Sequence, residues 1–201
     1  MALCEKISLL AIKNSGFAPQ EMNWCEAKKL WASAEPQSKN TLPAKNGVSA
    51  AAVKFTVYKC ELTVENAILW RGGHYAVTEI KGVGKSYIEV TAARLAPFNC
   101  TALRTESAAD ELKRPIKQLC KLCSFPAYLL EKWQGYVQEK PMATTEEIFI
   151  LVAPKAAELR AGDLVRLARG AEQKEEAYTV RVCHTLEAYK NEYEIARKAD
   201  V

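Results

Sequence analysis

The 201 residues carry 28 Lys+Arg against 24 Asp+Glu, a formal net charge of +4, with 49% hydrophobic and 26% charged residues. That balance excludes a disordered or fibrous chain and is too mild for a dedicated nucleic-acid surface. The excess lies wholly in residues 1–100, with 12 basic and 8 acidic side chains, since 101–201 hold 16 of each.

The chain starts MALCEKISLLAIKN, where Glu5, Lys6 and Lys13 break the apolar run. No stretch approaches the ~20 apolar residues of a membrane-spanning helix, so neither signal peptide, anchor nor membrane partner is expected. Seven scattered cysteines, an odd number, fit reduced thiols in a cytosolic setting better than a disulfide framework.

Strands are predicted at Ile7–Ile12 and around Leu30–Ala34. Val53, Phe55 and Val57 then alternate with Lys54, Thr56 and Tyr58, the period of two that marks a half-buried strand. Ala67–Trp70, the turn Arg71-Gly72-Gly73 and His74–Ile80 form a hairpin, because the glycines can take positive φ. Lys81–Lys85 is a second glycine-bearing turn, and Tyr87–Ala92 completes a meander with β-branched and aromatic residues. Five or six strands suffice to close a small barrel or sandwich.

Between Pro97 and Pro115 the alternation lapses into a polar, Ala-rich stretch, which predicts a domain boundary with a short helix from Ser107 to about Lys113, Ser107 and Asp110 approximating a capping pattern. Residues 116–138 are harder to assign: Leu119, Leu122, Leu129, Leu130 and Trp133 partly fit helical spacing, but Pro126 interrupts them, so a helix or an extended arm is expected. Beyond them Ile148–Val152 reads as a strand, Leu159–Asp163 as a turn, Leu164–Leu167 and Ala177–Val182 as two arms of a hairpin, and Glu192–Arg197 as a closing strand.

Tyr75–Ala96 and Tyr178–Ala199 align without gaps, sharing Tyr75/Tyr178, Val77/Val180, Glu89/Glu192, Ala93/Ala196, Arg94/Arg197 and Ala96/Ala199. Upstream, Glu65-Asn66-Ala67-Ile68 matches Gly162-Asp163-Leu164-Val165. The expected fold is therefore mainly β: two tandem small antiparallel β-barrel or sandwich domains, 1–100 and 116–201, the second a diverged copy of the first, with a short helix or linker at 101–115.

The order of these elements resembles the bacteriophage head–tail joining proteins. The carrying residues are Leu30-Trp31-Ala32-Ser33-Ala34-Glu35-Pro36 before a long loop, the strand Val53–Tyr58, the hairpin Ile68–Ile80, and Ile88-Glu89-Val90-Thr91-Ala92-Ala93-Arg94-Leu95. The resemblance covers residues 6–96 well and 148–199 more loosely. It implies a ring-forming head–tail connector of the virion neck, of the head-closure or stopper kind, phage-connector-like in fold. Such a subunit assembles in the host cytoplasm, closes the DNA-filled capsid, and meets a portal-side adaptor or other neck protein on one side and a tail terminator or tail tube protein on the other. Family members are usually single domains. A fused pair leaves open whether the barrels together match a ring of twice as many subunits or form a separate layer facing the tail. Exposed edges on small barrels predict a weakly associating or monomeric chain in isolation, with ring formation on a partner template.

Pro36–Ala52 lacks strand periodicity and contains Lys39, Asn40, Lys45 and Asn46 without an acid. It reads either as a solvated loop or as one that orders against a neighbouring subunit or in the channel, where its lysines would meet packaged double-stranded DNA through phosphate contacts alone. Trp24, Trp31 and Trp133 are expected as core or interface anchors. Cys120-Lys121-Leu122-Cys123 has the spacing of a zinc or redox pair but lacks a second pair and a βαβ context, so buried structural thiols are expected. His74 and His184, the only histidines, have no nucleophile, metal-ligand or phosphate-loop pattern around them. No catalytic residue, cofactor or metal is expected, and the chain reads as a non-enzyme. A different class, a tandem small-barrel nucleic-acid-binding or scaffold module, would require surface aromatics interleaved with Lys and Arg, whereas the strand-face charges Lys54, Glu79, Glu89, Arg181 and Glu192 are mixed in sign.

Overall fold

A computed structural model of the chain describes residues 3–37, 51–109, 115–131, 148–169 and 174–197. The fold is all-β, and none of the described residues is helical. Two compact units are resolved: unit 1 comprises residues 1–13 and 23–97, and unit 2 residues 14–22 and 98–201.

Unit 1 is built from β1 (Glu5–Asn14) and β2 (Gln20–Gln37), apart from Asn14 and Gln20–Met22, which belong to unit 2, and from β3 (Ala52–Tyr58), β4 (Ala67–Trp70), β5 (Gly73–Val83) and β6 (Tyr87–Arg94). They close a six-stranded antiparallel barrel in the order β1-β4-β5-β6-β3-β2, with β2 returning to β1. Closure removes most of the edges that an open sheet of this size would expose. Ile7, Ala32, Val53, Phe55, Val57, Ile68, Trp70, Tyr75, Val77, Ile88, Val90 and Ala92 fill the interior. The Phe55 ring sets an edge against Trp70 at 5.5 Å and against Tyr75 at 5.8 Å, the geometry favoured by the ring quadrupoles. The β4–β5 turn has positive φ at both central residues, Arg71 (48°) and Gly72 (73°), the mirror-image turn whose twist suits a two-residue hairpin.

Unit 2 holds β7 (Phe98–Ala109), β8 (Pro115–Glu131), β9 (Ile148–Pro154), β10 (Leu164–Arg169), β11 (Lys174–His184) and β12 (Lys190–Arg197). Their order is β7-β10-β11-β12-β9-β8, with β8 returning to β7. Buried Cys100, Ala102, Phe125, Leu151, Val165, Leu167, Tyr178, Val180, Tyr193 and Ile195 form its core. Tyr193 also ties the segment after β9: its hydroxyl donates to Ala157 O (2.7 Å) and accepts from Leu159 N–H (3.1 Å).

The two units follow one cyclic strand order, and the agreement extends to register. Tyr75 faces Arg94 and Tyr178 faces Arg197; each ladder then slips at one bulge, between Val77 and Glu79 in unit 1 and between Val180 and Val182 in unit 2. Burial along β6 and β12 alternates identically. Asn66 and Asp163 close equivalent turns, each side chain accepting the backbone N–H three residues earlier, at 2.8 Å from Thr63 and 2.7 Å from Arg160.

Two expectations need correction, and one alternative is decided. The linker at 101–115 with its helix from Ser107 gives way to β7, which runs through Ala109 and pairs with β8 from Ala109↔Pro115 to Phe98↔Ala127; residues 110–114 lie outside the described residues. Apart from Leu103, Phe125 and Pro126, the buried positions from Cys100 to Ala127 are the small residues Cys100, Ala102, Cys123 and Ala127, which carry a weak apolar alternation. Of the two readings of 116–138, the extended one holds for β8, and 132–147 lie outside the described residues. Pro126 sits within the strand, one residue before β8 changes partner from β7 to β9, a place where the missing N–H costs little. The glycine turn is Gly84–Ser86, because β5 extends through Val83.

Candidate interaction surface

Lys39, Asn40, Lys45, Asn46 and Trp133 lie outside the described residues. Trp24 and Trp31, both on β2, have opposite environments. Trp24 is half-buried, its ring 5.3 Å from the His74 ring edge-on, and its indole Nε1 is buried with no acceptor among the described residues. Trp31 is 57% exposed. It precedes Ala32, which faces Val57 across the β2–β3 ladder, and so stands level with Tyr58.

Tyr58 is 59% exposed, faces Tyr87 across β3–β6, and stacks on it with centroids 5.0 Å apart and planes 25° apart. Trp31, Tyr58 and Tyr87 thus form a row across three strands at one end of unit 1, with the exposed lysines Lys29 and Lys59 next in sequence to the row's members or close to them. The row was only half legible: Trp31 was a candidate anchor, whereas the signal for Tyr58 was its outward place in the Lys54–Thr56–Tyr58 alternation. On the adjoining outer face Lys54 Nζ lies 3.2 Å from Glu35 and 3.4 Å from Glu89, so this face sets one cation between two carboxylates.

Cys123 is buried and Cys120 half-buried in β8; burial pushes the Cys123 thiol up to about 11 and that of buried Cys100 up to about 12, which keeps both protonated and unreactive near neutrality. Among the described residues no group of three or more His, Cys, Asp or Glu is placed to hold a metal ion. No described helix is long and apolar enough to cross a membrane.

Burial lowers the His74 pKa below its ordinary value of 6.5. Because the unfolded state then binds a proton more readily than the folded one, the neutral imidazole's contribution is complete above about pH 6.5 and fades as pH falls toward the lowered folded value. Thermal melts from pH 7.5 to 5 should therefore show a fall that His74→Gln flattens; an unchanged slope in the variant would refute the assignment.

Comparison with protein-family models, with curated proteins and with solved structures found no match to this chain.

Proposed function

We propose that the chain is a structural protein of a bacteriophage neck: a non-catalytic head–tail connector subunit that forms a ring, closes the filled capsid and joins it to the tail. In this reading the two units are domains derived by tandem duplication. The shared strand order, the common Tyr–Arg register and the matching bulge support that, since independent barrels have no reason to slip at the same residue. The head–tail joining resemblance spans unit 1 nearly end to end.

The observation that carries the reading is the exposed row of Trp31, Tyr58 and Tyr87. A small barrel that leaves Trp31 and Tyr58 exposed, Tyr58 stacked on half-buried Tyr87, has the aromatic anchors that dominate protein interfaces, and the two carboxylates around Lys54 beside them fit a protein partner better than a nucleic-acid backbone. Portal-side adaptor and tail terminator surfaces are the partners the reading names, in the virion neck.

Capsids purified without tails should cosediment with the chain and then accept tails. Trp31→Ala, at an exposed position and expected to keep the wild-type circular dichroism spectrum, should weaken that binding by roughly 30-fold or more, the fold-change that corresponds to a hot spot of about 2 kcal/mol. Failure of the wild-type chain to bind such capsids would overturn the reading. Tight, salt-sensitive binding of single-stranded oligonucleotide that Trp31→Ala abolishes would replace it with a stacking platform.

A further inference from the structure

The hairpins β1–β2 and β7–β8 correspond position by position. Leu10 faces Ala67 and Leu103 faces the equivalent Leu164, an offset of 93 (103 − 10). Ala34 faces Phe55 and Leu129 faces the equivalent Leu151, an offset of 95 (129 − 34). The tips agree as well: Ser15 N–H donates to Glu21 O at 2.9 Å, and the counterparts Ala108 and Ile116 face each other.

Both long strands outrun their next neighbour. β3 pairs with β2 only from Ala32 onward, and β9 with β8 only from Tyr128 onward. The stretch of each strand nearer its hairpin tip therefore keeps one edge that the barrel does not use. In unit 2 that edge is filled: Gln20 and Glu21 add in parallel to Cys123 and Ser124, and Glu21 Oε1 lies 3.3 Å from Lys121 Nζ. In unit 1 the counterpart edge is Lys28–Lys29 (123 − 95 and 124 − 95), exposed and without such a strand among the described residues. The counterpart of the inserted segment is Pro115–Ile116 (20 + 95 and 21 + 95). It belongs to a ribbon whose strands, over Thr105–Ala109 and Pro115–Leu119, pair only with each other among the described residues. Ile116 and Leu119 stand 45% and 47% exposed there.

We propose that the tip of the β7–β8 hairpin of one copy adds as a parallel strand to the β2 edge of a second copy, Pro115 opposite Lys28 and Ile116 opposite Lys29. This deepens the neck reading, on which it rests, by naming the contact that builds the ring. The occupant is a second copy because the chain's own equivalent segment already fills the equivalent edge. A two-stranded ribbon is marginal by itself, an unpaired edge is a template for another strand, and main-chain hydrogen bonds supply the affinity of such additions. Trp31, two residues beyond Lys29, is placed to cap the added segment. With one donor tip and one acceptor edge per chain the contact is head-to-tail, which closes into a ring or runs on as a filament.

Two single variants, Lys29→Cys and Ile116→Cys, change exposed side chains. Mixed and treated with a short bis-maleimide, at high concentration and on tailless capsids, they should give severalfold more covalent dimer than either alone or the wild type, which set the background of the seven native cysteines. A mixture of Lys29→Cys with Glu61→Cys should stay at that background. If the specific mixture gives no excess dimer in either setting, the strand addition is wrong. Capsid binding without that cross-link would leave the neck reading standing and remove this contact, and the cross-link without capsid binding would do the reverse.

Discussion

Phe55→Ala should lower the stability of unit 1 by about 3–5 kcal/mol, and Leu151→Ala that of unit 2 by about 2–5 kcal/mol. Both side chains are fully buried and hold the same place in their ladders, Phe55 facing Val90 on β6 and Leu151 facing Tyr193 on β12. Removing Phe55 also deletes two aromatic edges, against Trp70 and Tyr75, each worth about 0.5–1.5 kcal/mol beyond the area removed from water. Three of the four tryptophans, Trp24, Trp31 and Trp70, lie in unit 1, so indole fluorescence reports chiefly on that unit while far-ultraviolet dichroism reports on both. In urea, Phe55→Ala should move the fluorescence midpoint and leave a later dichroism phase in place; Leu151→Ala should do the opposite. Phe55→Leu, which keeps most of the volume, gives a smaller shift in the same phase should the alanine variant not fold. A single transition displaced equally by both substitutions at every probe would mean that the two units unfold as one.

Legibility followed side-chain size. β3, β5, β6, β9, β11 and β12 were readable because Val53, Phe55, Val57, Val90, Leu151, Tyr193 and Ile195 are large, buried and spaced by two. The gapless alignment of Tyr75–Ala96 with Tyr178–Ala199 pointed to matching strands, whereas their shared register and bulge are properties of pairing that a single strand does not encode. β7 and the first part of β8 escaped because Cys100, Ala102 and Cys123 take most of their inward positions, and because Pro97, just before β7, and Pro115, the first residue of β8, read as a boundary although a strand tolerates proline at its first residue. Only Leu30–Ala34 of the 18-residue β2 was evident; from Gln20 to Trp31 its one fully buried side chain is Met22, so no period could appear. The aromatic row was hidden for a different reason: Trp31, Tyr58 and Tyr87 sit on three strands, and their adjacency exists only once β2–β3 and β3–β6 are in register.

Asp163→Ala is expected to destabilise unit 2 by about 2–4 kcal/mol. The Asp163 carboxylate is 3% exposed and accepts from Arg104 Nε at 2.8 Å, Arg104 Nη2 at 2.7 Å and the Arg160 backbone N–H at 2.7 Å. Its loss opens the turn before β10 and strands a guanidinium that is only a quarter exposed. Unit 1 supplies the control: Asn66 holds the equivalent turn through Thr63 N–H and instead donates to Leu10 O at 3.2 Å, a neutral bond from the same position to the first strand of its barrel. Asp163→Asn should therefore keep the turn and lose the charge-assisted fork, costing about 1–3 kcal/mol. Asn66→Ala should cost about 1–2 kcal/mol. A double-mutant cycle between Asp163→Asn and Arg104→Leu separates the two parts. Coupling of more than about 1 kcal/mol would show that the pair acts as a unit, whereas additive losses would mean that the turn alone needs this carboxylate and that the fork to β7 contributes no more than an exposed ion pair.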